Sequence, residues 1–242
     1  MNEQFLIINF TPIENDLKTI EKWLFEEDKK SNSGFYGNFQ TIKKSFEENR
    51  LVIVKREEKI VGFLVWIKGD LHIEIDILEI HPKHRREGIG EYFVNQISNH
   101  FIQKGFKALK LFCSPKESEK FWNSLGFIKF PNCFPSDPDL TYFKPLIEIK
   151  EVENKIDSEN RIELWDVEPY EAKDKEPIWI WNFENPEFDL SVPILHPCNY
   201  KWKISVIKEG EVIKENQIRY FSSKNNRIEF TSFLFIESLK VM

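Results

Sequence analysis

The segment from His81 to Glu91 constrains the fold of this 242-residue chain more than any other. Before it, residues 71–80 alternate isoleucine with acidic side chains, which predicts a strand. After it, residues 88–105 place apolar side chains at helical spacing. Arg85, Gly88 and Gly90 stand between the two in the pattern R-x-x-G-x-G. A strand that leads directly into a helix predicts an α/β unit.

The same segment has the properties of an anion-binding site. The first turn of a helix leaves backbone N–H groups unpaired, and that end of the helix is electropositive. Glycines at positions 88 and 90 lack the Cβ atoms that would keep a pyrophosphate from those groups. Glu87 and Glu91 oppose an anion unless their side chains point outward. The pattern alone also fits an ordinary turn between a strand and a helix, in which the basic side chains of residues 83–86 are simply solvated.

Strand-like and helical patterns alternate throughout residues 1–147. The predicted strands are residues 5–10, 51–55, 60–67, 71–80, 108–113, 127–130 and 140–143. The predicted helices begin near Asn15 and at the cap residue Asn38, cover residues 88–105 with Gly105 past the end, and cover residues 115–125. This alternation predicts an α/β domain with a mixed sheet and flanking helices.

Residues 148–242 follow a different pattern. A charged stretch over residues 148–160 suits a linker, and short strand-like runs separated by Pro, Asn and Gly follow it. These runs are residues 162–167, 178–183, 202–207, 211–213, 218–221 and 228–235. They predict a separate all-β accessory domain over residues 148–242, a small sandwich or barrel.

The composition excludes several classes of protein. The net charge is −6, the opposite of the basic surplus that nucleic-acid binders use. No apolar stretch approaches the ~20 residues that span a bilayer, and we expect no signal sequence or membrane partner. Cys113, Cys133 and Cys198 form no C-x-x-C pair, and the histidines lack metal-site spacing. We therefore expect no metal site and a reducing, cytoplasmic location.

Four features, in order, resemble the GNAT superfamily of acetyl-CoA-dependent N-acetyltransferases. They are the lead-in Ile80-His81-Pro82, the R-x-x-G-x-G segment, the following strand at residues 109–113, and residues 120–127. That last segment reads Lys-Phe-Trp-Asn-Ser-Leu-Gly-Phe and resembles the family's F-Y-x-x-x-G-F signature. The resemblance covers residues 1–147 and implies a GNAT-like mixed sheet, whereas residues 148–242 carry no such resemblance.

The resemblance implies acetyl-CoA as co-substrate and implies where it binds. In this family the fourth and fifth strands separate after a bulge, and the pantetheine arm enters the gap. The residues implied along the pantetheine arm are Leu78, Glu79, Ile80 and Ser114, with Trp122 nearby. The residues implied at the pyrophosphate are Arg85, Arg86, Glu87, Gly88, Ile89 and Gly90.

Direct acetyl transfer needs a base for the amine and an acid for the departing thiolate. Glu74 lies at the same offset from the motif as the glutamate base of histone-type relatives, and it also fits the polar face of a half-exposed strand. Asp76 and Glu79 are alternative bases. By strand alternation Asp76 shares the face of Glu74, where paired carboxylates hold a proton more tightly. Cys113 is interpreted as a buried small residue rather than a nucleophile.

Trp122 departs from the family pattern. Many relatives carry a tyrosine there, whose hydroxyl protonates the thiolate, whereas an indole N–H is no proton source near neutral pH. Tyr142 and Tyr92 are the candidate acids, although the spacing of Tyr92 favours core packing. The remaining alternatives are that water is the acid or that the domain is catalytically impaired.

The acceptor predicted by the resemblance is a primary amine of a small molecule or peptide. Residues 34–37, Gly-Phe-Tyr-Gly, lie where the family covers its acceptor site, and they also fit a turn with two anchoring aromatic rings. The alternative function is an impaired acetyl-CoA-binding module whose C-terminal region binds a protein or glycan through aromatic platforms. The tryptophans that motivate this alternative are Trp165, Trp179, Trp181 and Trp202. Self-association as a homodimer is compatible with both functions.

Overall fold

A computed structural model describes residues 5–31, 34–132, 140–153, 155–184, 187–188, 190–221, 228–230 and 232–239. The chain divides into two compact units, residues 1–126 and residues 127–242. The predicted division at 147/148 differs from this one, because the predicted strands at residues 127–130 and 140–143 fall in the second unit. Cys133 lies outside the described residues. Where the accessory domain begins stays a prediction.

The first unit has five strands and four α-helices among its described residues. In chain order they are β1 (Leu6–Asn9), α1 (Glu14–Ser31), α2 (Phe39–Glu47), β2 (Leu51–Arg56), β3 (Lys59–Lys68), β4 (His72–Ile80), α3 (Ile89–Gln103), β5 (Ala108–Phe112) and α4 (Glu119–Ser124). The strands lie in the order β1-β2-β3-β4-β5. The first three pairings are antiparallel and the β4–β5 pairing is parallel. The predicted mixed α/β sheet is therefore confirmed.

Apolar side chains fix the helices against this sheet. Leu17, Ile20 and Leu24 recur along α1 at helical spacing and pack with Phe63 and other buried residues of β2 and β3. This spacing gives the helix one apolar stripe, which burial against the sheet stabilises. Gly105 follows α3 at φ +86°, as expected for a residue past a helix end.

Two helix starts differ from the sequence-based expectation. The side chain of Asn38 makes no capping hydrogen bond, although α2 begins directly after it. Pro115 has extended backbone and is followed by a 3₁₀ turn, so α4 begins at Glu119 rather than near residue 115.

The second unit is built from antiparallel strands, with no α-helix in its described part. They are β6 (Ile128–Lys129), β7 (Thr141–Pro145), β8 (Asn160–Leu164), β9 (Trp179–Phe183), β10 (Ile194–Pro197), β11 (Lys203–Lys208), β12 (Glu211–Gln217), β13 (Ile228–Phe230) and β14 (Phe233–Ile236). One sheet has the order β12-β11-β8-β9 and another the order β10-β14-β13. This β-rich architecture agrees with the prediction, while its closure as a sandwich or barrel stays a prediction.

Aromatic rings connect the two sheets of this unit. His196 on β10 lies 4.6 Å from the Trp179 ring and 5.6 Å from the Trp181 ring, both on β9. Trp179 stacks on Trp202 at 5.1 Å. Trp165, Trp181 and Trp202 are buried and Trp179 is half-buried. Three of the four tryptophans that motivated a binding platform are therefore core residues.

Candidate cofactor and catalytic site

Strand β4 contains the bulge that the family resemblance implies. Ile75 pairs with Trp66 and Ile77 pairs with Val65, so Asp76 is the extra residue opposite β3. The pairing of β4 with β5 extends only from His72↔Ala108 to Ile75↔Leu111. A bulge bends its strand and ends regular pairing. Residues 76–80, including Leu78, Glu79 and Ile80, therefore have no partner in β5 among the described residues.

The start of α3 presents unpaired backbone donors. Gly88 precedes the helix with φ +78°, a left-handed conformation that favours glycine. Across the described residues, the N–H groups of residues 86–91 donate to no protein acceptor. A Cβ atom at Gly88 would meet no atom within 4 Å. Unpaired N–H groups at a helix N-terminus, beside a glycine whose Cβ position is open, fit a phosphate group.

Gly90 has a different role from the one expected. A Cβ atom built there would lie 3.1 Å from Cζ of Phe121 and 3.8 Å from Cγ1 of Ile80. The missing side chain therefore makes room for an aromatic ring of α4, rather than for an approaching ligand. Ile89 is buried as well, so residues 89 and 90 offer a ligand their backbone.

The acidic residues of the loop are partly neutralised. Glu87 pairs with Arg56 at 2.5 Å and lies 3.6 Å from Nδ1 of His84. The hydrogen bond from Arg56 lowers the pKa of Glu87. Glu91 is exposed, and Arg86 adopts φ +66° with an exposed side chain. The loop can therefore accept an anion in spite of its acidic residues.

The side chain of Arg85 is 46% exposed, yet its guanidinium binds three protein acceptors. Its Nε donates to the carbonyl of Ile80 at 3.0 Å. Its Nη2 lies 2.8 Å from Oε1 of Glu27 on α1 and 2.6 Å from Oε1 of Glu79 on β4. Sequence reasoning missed Glu27 and Arg56, because no motif links residues so far apart in the chain. Phe121 lies in the segment 120–127, but its packing against Gly90 was not expected.

Three carboxylates stand on β4 in different surroundings. Glu74 is half-buried, and its Oε2 lies 3.9 Å from Nζ of Lys110, its register partner on β5. Asp76 is exposed at the bulge, where partial desolvation raises its pKa and Arg50 opposes the rise. Because Asp76 is the bulged residue, the alternation that placed it on the face of Glu74 does not continue through it. Glu79 is held by Arg85.

The candidate acids lie apart from one another in the chain. Tyr92 on α3 donates to the carbonyl of Leu6 at 3.1 Å, which agrees with a packing role. Tyr142 is buried on β7 of the second unit, opposite Lys129. Trp122 is buried on α4 with its ring 5.0 Å from that of Phe121. Ser114 is exposed directly after Cys113, which is buried 3.3 Å from Oγ of Ser118.

A cavity of about 400 Å³ lies between α1, the β2–β3 turn and His81. None of the predicted site residues lines it, and its charged residues are of both signs: Asp16, Lys22, Glu26, Glu58 and Lys59. We therefore place the candidate site at β4 and α3, on the geometry of the backbone.

None of the helices in the described part of the chain combines the length and the apolar character that a membrane span needs. Nor do any three His, Cys, Asp or Glu side chains of the described residues lie together as a group that could hold a metal ion.

Comparison with known proteins gives one consistent result. Residues 15–127 match the model of the acetyltransferase (GNAT) family. An uncharacterized N-acetyltransferase in the lysA 3′ region of Bacillus methanolicus is 27% identical over 101 residues, which are 40% of this chain and 69% of that protein. A GNAT-family acetyltransferase structure from Bacillus cereus covers 58% of this chain and 97% of its own, with 20% identity and a TM-score of 0.45. The structure of PaiA N-acetyltransferase from Thermoplasma acidophilum in complex with coenzyme A covers 58% and 99%, with 16% identity and a TM-score of 0.47.

Proposed function

We propose, from the match of residues 15–127 to the model of the acetyltransferase (GNAT) family, that the chain is an N-acetyltransferase. It transfers the acetyl group of acetyl-CoA to a primary amine of a small molecule or peptide by direct attack. The observation that carries the proposal has two parts. The N–H groups of residues 86–91 are unpaired, and residues 76–80 of β4 have no partner in β5 among the described residues.

The two unpaired regions suit the two parts of coenzyme A. The pyrophosphate is an anion that backbone N–H groups at a helix start bind well. The pantetheine arm carries amides that can pair with a strand edge. Residues 76–80 have no partner in β5 among the described residues, although the carbonyl of Ile80 already accepts from Arg85. Acetyl-CoA supplies the activated thioester. The protein's part is to hold that thioester beside the amine and to accept the proton that the amine loses.

Glu74 is the base in this proposal. When the amine nitrogen bonds to the thioester carbon, the carbon–sulfur bond breaks and the nitrogen gives up a proton, which Glu74 takes directly or through a water. Asp76 is the alternative base. Desolvation raises its pKa, and a carboxylate with a higher pKa binds the amine proton more strongly. Glu79 is a weaker choice, because Arg85 already neutralises its carboxylate.

Release of free thiol from acetyl-CoA in the presence of a panel of amines tests the proposal. We expect wild-type turnover on at least one amine, and a loss of about 100-fold or more in kcat for Glu74→Gln with coenzyme A affinity unchanged. Asp76→Asn is the matched variant, since it removes the other carboxylate of the same strand. If Asp76→Asn loses activity and Glu74→Gln keeps it with an unchanged pH–rate profile, Asp76 is the base.

The second candidate is an impaired acetyl-CoA-binding module, and Trp122 is the observation that favours it. This position supplies no hydroxyl, so the thiolate would need Tyr142 or water as its acid. The idea of a glycan-binding platform is weaker than the sequence suggested, because Trp165, Trp181 and Trp202 are buried. Tight coenzyme A binding with no turnover on any amine would establish the module and exclude the enzyme.

We further propose that residues 148–242 select the acceptor or mediate self-association. We also propose that the protein acts in the cytoplasm, where unpaired thiols such as buried Cys113 and Cys198 stay reduced. Measurement of the oligomeric state and cell fractionation test these two points.

A further inference from the structure

We propose that Arg85 is a positioning residue that connects α1 to the end of β4, and that its side chain does not bind the cofactor. This inference rests on the proposed function, because it concerns the same site. The contacts of the guanidinium carry it: one to the carbonyl of Ile80 and two to the carboxylates of Glu27 and Glu79.

Two nitrogens of the guanidinium, Nε and Nη2, are already bound to protein acceptors. Nε is used by the Ile80 carbonyl, and Nη2 is shared between two carboxylate oxygens at 2.8 and 2.6 Å. These are short, charge-assisted contacts. A pyrophosphate that recruited Arg85 would have to compete with two anions already in place, while the unpaired N–H groups of residues 86–91 need no rearrangement.

The two carboxylates require this cation. The side chains of Glu27 and Glu79 are only 9% and 11% exposed, so solvent screens their mutual repulsion weakly. Desolvation raises the pKa of Glu79, the hydrogen bond from Arg85 opposes the rise, and the charge of Glu27 adds to it. Without Arg85, one of the two must take up a proton or turn away, and the end of β4 would move with it.

Glu27 extends the connection toward the predicted acceptor loop. Its Oε2 accepts from Nε1 of Trp23 at 3.2 Å. A Cβ atom at Gly34 would lie 3.3 Å from its Cδ, so the loop that begins at Gly34 is packed against this carboxylate. Arg85 therefore holds three parts together: the acceptor-side loop through Glu27, the pantetheine edge through Glu79 and Ile80, and the phosphate loop through its own backbone.

The test compares coenzyme A with pantetheine, which lacks the pyrophosphate. Dissociation constants for both are measured by calorimetry, directly or by displacement, for wild type, Arg85→Gln, Arg85→Lys and Glu27→Gln. If Arg85 positions β4, we expect Arg85→Gln to weaken both ligands by the same factor of about ten. Glu27→Gln should weaken both as well. Arg85→Lys should recover only part of the loss, because the donors of an ammonium group lie on one atom, whereas Arg85 reaches the carbonyl and the carboxylates from two separate nitrogens.

The opposite pattern overturns the inference. If Arg85 binds the pyrophosphate, Arg85→Gln weakens coenzyme A alone, and Glu27→Gln leaves affinity unchanged or raises it by releasing the guanidinium. The double variant Arg85→Gln/Glu27→Gln should lose no more than Arg85→Gln alone if the two act as one unit. Glu14→Gln is the control, because Glu14 forms an exposed pair with Lys18 on the same helix.

Folding and function are checked separately. Thermal unfolding shows which variants are folded. If Arg85→Gln does not fold, the affinities of Glu27→Gln and Arg85→Lys still test the inference. Wild-type protein that fails to bind coenzyme A would refute the proposed function itself. Wild-type binding with a loss confined to coenzyme A in Arg85→Gln would refute only the role given to Arg85.

Discussion

Substitution of Gly88 by alanine should separate backbone strain from ligand binding, because Gly105 provides a control on the same helix. The two glycines flank opposite ends of α3 with φ +78° and φ +86°. A Cβ atom would meet no atom within 4 Å at either position. A non-glycine residue in this left-handed region costs about 1–2 kcal/mol. Both variants should therefore lose similar stability, and the melting temperature should fall by roughly 2–8 °C in each.

Coenzyme A affinity should distinguish them. We expect a phosphate bound at residues 86–91 to lie against Gly88, so that a methyl group there displaces it from one N–H donor. Loss of one charge-assisted hydrogen bond costs about 1.5–3 kcal/mol. That corresponds to about a 10- to 150-fold rise in the Kd for Gly88→Ala. Gly105→Ala should bind coenzyme A within about twofold of wild type, since Gly105 follows the C-terminal end of α3 and the proposed phosphate site is at its N-terminal end.

Calorimetric titration with coenzyme A and differential scanning calorimetry give the two quantities. Gly88→Asn is a further test variant, because asparagine tolerates the left-handed region better than alanine and still places a side chain at position 88. Equal coenzyme A affinity in Gly88→Ala, Gly88→Asn and Gly105→Ala would show that no phosphate binds at this helix start. The proposed cofactor site would then be wrong.

Three further predictions concern other parts of the chain. Tyr142→Phe should lower kcat for thiol release by about 10-fold or more if Tyr142 is the general acid, and an unchanged kcat would leave the role to water. Burial lowers the pKa of His196 to about 4, below its unfolded value of about 6.5. The unfolded state therefore binds more protons as pH falls from 6.5 to 4, and up to about 3 kcal/mol of stability is lost in that window. In His196→Phe, the difference in unfolding free energy between pH 7.5 and 4.5 should shrink by about that amount. Truncation after residue 147 should leave a soluble coenzyme A-binding protein that has lost its acceptor preference, and a truncated chain that unfolds would contradict the predicted domain division.

The sequence predicted the elements of the first unit well, because their signals are local. The alternation along β4, the helical spacing after Gly88 and the positive φ of Gly105 each depend on neighbours in the chain. The family resemblance alone implied a bulge, without giving its position, and the register of β4 with β3 places it at Asp76. Its effect on side-chain direction appeared only in the register with β3, which no pattern within β4 encodes.

The second unit shows where local signals fail. The sequence pattern predicts no strand at β10, because proline usually marks a turn. Pro193 directly precedes this strand and Pro197 is its last residue. In the structure β10 lies at the outer position of its sheet, where a missing N–H is tolerated. Residues 218–221 carry a strand-like composition, yet Ile218–Tyr220 form a 3₁₀ turn whose first residue is buried. For β10 the edge position in the sheet outweighed the local preference, whereas residues 218–220 follow β12 as a turn in spite of their strand-like composition.

The three fixed residues of the R-x-x-G-x-G segment turn out to have three different physical tasks. Gly88 allows a backbone conformation, Gly90 leaves room for Phe121, and Arg85 holds two carboxylates and a carbonyl. None of these tasks requires a side chain that touches the ligand. What they share is a loop geometry in which the N–H groups of residues 86–91 stay unpaired. A motif of this kind therefore indicates an anion site through the backbone conformation that it produces. It does not assign the roles of its side chains. The role of Arg85, for example, depends on partners from distant parts of the chain.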